Sequence, residues 1–104
     1  MRYRRVVVKL SGRALSGSDP FGLDAGALEH VADEVLQVAD HGVEVAVVVG
    51  GGNFFRGSLA EHWGIERAEA DSVGILGTVM NRLMLRGVLK ARGDREVRVM
   101  TAVL

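Results

Sequence analysis

The chain has 104 residues, of which 48% are hydrophobic and 25% charged, with 13 basic and 13 acidic side chains and no cysteine. That is the size of one domain with a modest core, and its balanced charge argues against a nucleic-acid or membrane-surface partner. The missing cysteines exclude a disulfide framework and any thiolate-held metal, and they fit a reducing, cytoplasmic setting.

The basic start Met1-Arg2-Tyr3-Arg4-Arg5 leads into only Val6, Val7 and Val8 before Lys9, which is too short for a signal peptide or a membrane span. Arg5 to Leu10 reads as a first strand with the three valines as its buried middle. It ends in Lys9-Leu10-Ser11-Gly12, where a cation, a hydroxyl and a glycine meet. Ser16 to Gly22 is a polar loop with turn chemistry from Asp19, Pro20 and two glycines. Asp24 is the expected N-cap of a helix that runs to Gly42, with Leu28, Val31, Val35 and Val38 as its apolar stripe.

Val43 to Val49 reads as a second strand, parallel to the first because a helix intervenes. Its Val45-Ala46-Val47-Val48-Val49 run predicts burial on both faces. Gly50, Gly51 and Gly52 follow at the carboxyl end, where backbone N–H groups can approach an anion with no Cβ in the way. Arg56 brings a fixed positive charge close by. Residues 57 to 69 read as irregular or weakly helical. A second helix is expected from about Ser72 to Ala91, capped by Asp71, with Val73, Leu76, Met80, Leu83 and Gly87 as its core-facing stripe. Glu96 to Val103 reads as a third strand, so the pattern is β-α-β-α-β, half of a doubly wound α/β parallel sheet. An apolar strand at the chain's end predicts either a further segment or a pairing partner.

Other side chains read blandly. His30, His41 and His62 match no metal spacing and are expected in solvent, with His41 at a helix C-terminus. Asp33 and Glu34 are expected to be solvated. Met80, Met84 and Met100 read as core filler. Trp63 with Phe54 and Phe55 could form a partner patch. Arg82, Arg86, Lys90 and Arg92 favour a helix C-terminus rather than nucleic acid. The chain contains neither a P-loop nor a dinucleotide-binding glycine fingerprint after its first strand. Open α/β sheets bind ligands at the carboxyl ends of their strands, so the Lys9-to-Gly12 and Gly50-to-Arg56 segments together predict a bipartite phosphate site.

Val7-Val8-Lys9-Leu10-Ser11-Gly12, Phe21-Gly22-Leu23-Asp24, Val49-Gly50-Gly51-Gly52-Asn53-Phe54-Phe55-Arg56-Gly57, Asp71 and Gly77-Thr78-Val79-Met80-Asn81 together resemble the bacterial uridylate kinases of the amino acid kinase family. The resemblance covers essentially the whole chain but only the amino-terminal part of those enzymes. It implies an αβα sandwich in which residues 1–104 supply the acceptor and phosphate part, while the other, nucleotide-binding part is absent. It implies transfer of the γ-phosphoryl of Mg·ATP to UMP, giving UDP in pyrimidine nucleotide synthesis, with magnesium carried by the nucleotide. By that resemblance Lys9, Leu10, Ser11, Gly12, Gly52 and Arg56 match ATP contacts, and Lys9 and Arg56 are the catalytic pair. Gly51 and Asp71 match UMP contacts. Gly17, Ser18, Asp19, Pro20, Phe21 and Gly22 match a loop tied to GTP activation, with UTP as the inhibitor. A homo-oligomer, hexameric in the family, is implied as well. Arg13 departs from the pattern, which usually has glutamate there. Two alternatives stay open: a non-catalytic nucleotide-binding or assembly module, or another branch of the family with a carboxylate or carbamate acceptor. Residues 1–104 alone are expected not to turn over.

Overall fold

The computed structural model describes residues 4–19, 21–94 and 96–101. Pro20 and the expected strand end at Val103 therefore lie outside the described residues. Strands β1 (Arg4–Leu10), β2 (Val43–Val49) and β3 (Arg98–Thr101) form one parallel sheet in the order β1-β2-β3. Val6 stands opposite Val45, Lys9 opposite Val48, and Val47 opposite Val99. A 3-10 turn (Gly12–Leu15) and helix α1 (Ala25–Ala39) link the first two strands, and α2 (Gly57–Trp63) and α3 (Arg67–Ala91) link the second pair.

Two steps in the same direction, each with a right-handed crossover, put both long helices on one face. There Leu28, Ala32 and Val35 of α1 and Leu85 and Leu89 of α3 close over Val45, Val47, Val49 and Val99. Leu15 of the 3-10 turn completes this core and is fully buried.

Among the described residues the sheet is covered on that side alone. Val45, Val47 and Val49 are buried, while Ala46 and Val48, which alternate with them, are half-buried. The valine run is thus buried on one face and only partly screened on the other. Val6 and Val7 of β1 are exposed and Val8 is half-buried, so the expected buried middle of that strand is absent. The reason is topological: β1 is an edge among the described strands, and α1 leaves an apolar groove between itself and β1, lined by Val8, Leu10, Val31, Val35 and Val38.

Helix α1 follows its sequence signals. The Asp24 carboxylate accepts from the Ala27 amide at 2.8 Å, as an N-cap should. Gly42, at φ +77°, takes the left-handed turn after the helix. Helix α3 departs from its signals. It begins at Arg67, so Asp71 lies inside the helix and caps nothing. Ala68, Glu69 and Ala70 are good helix formers and carry the helix back past the expected cap. Residues 57 to 63 are helical too, and Gly64, at φ +68°, terminates them while the Ile65 amide donates to the Ala60 carbonyl at 2.9 Å.

The apolar stripe of α3 faces outward: Val73 is 42%, Leu76 63%, Met80 44% and Leu83 57% exposed. The buried face carries Ala70, Gly77, Thr78, Asn81, Leu85 and Leu89 instead. Met80, Met84 and Met100 are exposed rather than core filler. Three arginines in and just after α3 have specific partners. Arg82 Nε donates to the Val99 carbonyl at 2.9 Å, Arg86 pairs with Asp94 at 3.3 Å, and Arg92 pairs with Asp33 of α1. Asp33 and Glu34 are therefore engaged, the latter with His30 at 2.9 Å, and His41 contacts the Gln37 carbonyl through Nδ1.

Candidate functional site

At the carboxyl edge of the sheet the β1 and β2 ends touch. The Gly50 amide donates to the Leu10 carbonyl at 3.1 Å, continuing the ladder one residue past β2. Gly12 is buried, and a Cβ built on it would lie 2.8 Å from the Gly52 nitrogen and collide with the Asn53 side chain. The missing Cβ of Gly12 is what allows this loop-to-loop contact. Gly51 plays the same part toward α3, where a Cβ would come within 2.7 Å of the Thr78 nitrogen and 3.0 Å of the Gly74 carbonyl. Gly52 has nothing within 4 Å of its Cβ position, so the open side of the turn is there.

Lys9 is exposed and stands opposite Val48, on the face of the sheet away from the helices. Ser11, also exposed, precedes the 3-10 turn in an extended conformation. Arg56, exposed at the start of α2, folds back so that Nε donates to the Gly52 carbonyl at 3.3 Å. Asp71 is exposed, two turns before Thr78 on the same side of α3 and so ~10 Å from it along the axis. The structure thus brings Gly12, Gly52 and Arg56 together at one edge, with Lys9 and Ser11 at the adjoining strand end. Gly51 touches the stretch of α3 that leads to Asp71, and Asp71 itself touches none of the others.

The described part of the 17–22 loop lies against the same edge. Gly17, at φ +67°, backs on the Asp24 carboxylate, and the Asp19 side chain accepts from the Phe21 amide at 2.9 Å. Phe21 meets Phe54 edge to face, with ring centroids 6.1 Å apart. The Gly22 amide donates to the Asn53 carbonyl at 2.7 Å, and Asn53 Nδ2 returns a bond to the Gly22 carbonyl at 2.8 Å.

Asn53 and Asn81 are the residues to which sequence reasoning gave no role. Both are buried, and their amides bond each other reciprocally: Asn81 Nδ2 donates to Asn53 Oδ1 at 2.7 Å, and Asn53 Nδ2 to Asn81 Oδ1 at 3.1 Å. Asn81 Nδ2 also donates to the Gly50 carbonyl at 2.7 Å. A polar side chain in the middle of a helix, 28 residues from an asparagine beside a glycine run, was the available signal. No buried side-chain polar atom among the described residues lacks a partner. Among them, too, no group of three His, Asp or Glu side chains is placed to hold a metal ion, and no helix is long and apolar enough to cross a membrane.

A model of the amino acid kinase family matches residues 4–95. The chain belongs to the amino acid kinase family. Within it, this family member is 63% identical over 102 residues to the uridylate kinase of Frankia alni, covering 98% of this chain and 40% of that protein. It is 46% identical over 103 residues to the uridylate kinase of Pediococcus pentosaceus, covering 99% of the chain and 42% of the relative. Among solved structures, UMP kinase from Bacillus anthracis superposes with a TM-score of 0.84 at 53% identity, over 99% of this chain and 42% of that one. UMP kinase from Ureaplasma parvum gives a TM-score of 0.81 at 32% identity, covering 91% of this chain and 40% of its own. The chain therefore spans about two-fifths of the length of these relatives.

Proposed function

We propose that this chain carries the acceptor and phosphate-binding part of a uridylate kinase, which transfers the γ-phosphoryl of Mg·ATP to UMP and releases UDP and ADP. The observation that carries the reading is the direct contact between the two strand ends, Gly12 against Gly52 and Asn53, flanked by Lys9 and Arg56. The names of the relatives support the acceptor.

Phosphoryl transfer asks for positioning and for stabilisation of charge on the moving group, with little covalent work by the protein. In this reading Lys9 neutralises charge on the transferring phosphoryl, and Leu10, Ser11 and Gly12 set the loop that holds the ATP phosphates. Gly52 leaves the turn open to those oxygens, and Arg56 swings from the Gly52 carbonyl to bridge donor and acceptor phosphates. Gly51 and Asp71 serve UMP. Lys9 and Arg56 can donate but cannot coordinate a cation, so magnesium enters as part of the nucleotide, whose phosphate charge it offsets. The loop from Gly17 to Gly22 is the element through which GTP activates, with UTP opposing. A cytoplasmic location accords with this chemistry.

The outward stripe of α3 supports a homo-oligomer. Glu69, Val73, Leu76, Met80, Leu83 and Gly87 recur at steps of three and four, the spacing of a helix-pairing seam. Two antiparallel copies centred between Val79 and Met80 would set Leu76 against Leu83 and Glu69 against Lys90, which is the self-complementarity a two-fold contact needs. Because the chain has no cysteine, Met80→Cys is a clean probe. Oxidation should give a disulfide-linked dimer that Glu61→Cys does not give.

The activity test joins residues 1–104 to the remaining length found in the relatives and measures ADP release with UMP, CMP, glutamate or carbamate as acceptor. UMP should be preferred, and Lys9→Ala should abolish turnover. A lack of preference for UMP would sink the assignment.

A further inference from the structure

The amide pair Asn53–Asn81 lies directly behind the phosphate cradle and is wired to three separate segments. Its donors reach the Gly22 carbonyl on the 17–22 loop and the Gly50 carbonyl on the glycine turn, and one partner is anchored on α3. All the N–H groups needed for these bonds come from just two side chains. Each bond therefore constrains the others: turning the Asn81 amide away from Gly50 also removes the acceptor and donor that hold Asn53 in plane. Asn53 in turn grips Gly22 twice, once with its side chain and once with its backbone carbonyl. Its side chain also fills the space against Gly12.

We propose that Asn53 and Asn81 are positioning residues which fix the Gly50–Gly52 turn against the Lys9–Gly12 segment and make the conformation of the 17–22 loop depend on that of the turn. Neither side chain is exposed to a ligand; both act through the backbone they hold. The proposal rests on the phosphate-cradle reading only for its functional consequence. The coupling itself is a property of the free chain.

Asn81 makes no hydrogen bond to the described residues of the 17–22 loop, so its replacement separates coupling from simple loss of such a bond. Amide exchange of the 104-residue chain, followed by NMR, would be compared in wild type, Asn81→Asp and Val35→Ala. The aspartate keeps volume but cannot donate to the Gly50 carbonyl, and Val35→Ala lowers core stability away from the pair. Asn81→Ser serves if the aspartate does not fold. Gly22 exchange, relative to β2 amides, should rise about tenfold or more in the Asn81 variant, the factor expected when one buried hydrogen-bonded group is left unpaired. In Val35→Ala that ratio should stay at the wild-type value. A Gly22 ratio unchanged by the Asn81 variant would overturn the coupling. A parallel titration with Mg·ATP, made on residues 1–104 joined to the remaining length found in the relatives, should shift the Lys9–Gly12 and Gly51–Asn53 amides of wild type and require about tenfold more nucleotide in Asn81→Asp. Equal affinity in the two would overturn the positioning role. Absence of any shift in wild type would instead count against the phosphate-cradle reading, leaving the exchange ratio to decide the coupling.

Discussion

Helices α1 and α3 carry apolar stripes of the same period, yet one stripe faces the core and the other faces solvent. On α1 the spacing of Leu28, Val31 and Val35 coincides with burial against β2. On α3 the more apolar stripe, Val73 to Leu83, is exposed, and the inward face contains Gly77, Thr78 and Asn81. The difference comes from what each helix packs on. Helix α1 covers valines, which accept any apolar side chain of suitable size. The middle of α3 lies against the glycine turn, where Gly51 admits only a close backbone and where the Gly50 carbonyl needs a donor. Periodicity identifies the amphipathic face of a helix but not the partner of that face.

The largest expected effect separates the two faces of α3. Leu85→Ala removes a fully buried side chain and should cost about 2–5 kcal/mol in urea unfolding. Leu83→Ala, two residues away but 57% exposed, should change monomer stability by no more than about 0.5 kcal/mol while weakening self-association in sedimentation. Equal losses of stability would mean that the stripe is not outward.

The second contrast is between adjacent glycines. Gly51→Ala forces a Cβ onto the backbone of Thr78 and should destabilise by about 1–3 kcal/mol. Gly52→Ala meets open space and should leave the melting temperature nearly unchanged. Its effect should fall on nucleotide binding.

The smallest contrast lies at the helix starts. Asp24→Ala should cost about 1 kcal/mol because a real cap is lost. Asp71→Ala should cost almost nothing in stability, since Asp71 sits exposed within α3. Thermal melts of both variants compare them directly, and a loss at Asp71 as large as at Asp24 would restore a capping role there.

Much of the fold was legible because its signals are local. Valine runs marked β1 and β2, Asp24 and Gly42 bracketed α1, and the intervening helices required parallel strands. Most of the failures concern what covers what. The exposure of Val6 and Val7 follows from β1 being an edge among the described strands and from Val7 lying on the face away from the helices, neither of which any window of sequence contains. The reach of α3 back to Arg67 came from helix propensity outweighing a plausible cap. Of the candidate site, the two segments that meet at the sheet edge were visible, but the packing of individual glycines was not. A Cβ at Gly12 or Gly51 would strike the neighbouring segment, whereas Gly52 keeps an open side. The asparagine pair left only a faint signal, because each residue is unremarkable until the other is placed beside it.

The central claim is that the ends of β1 and β2 form a single phosphate cradle. It is tested most directly by joining ¹⁵N-labelled residues 1–104 to the remaining length found in the relatives, titrating with Mg·ATP and following backbone amides by NMR. The account predicts that Lys9, Ser11, Gly12 and Gly52 shift together along one saturation curve, and that Lys9→Ala weakens the response at all of them. Shifts confined to one strand end, or responses that saturate at different concentrations, would contradict it.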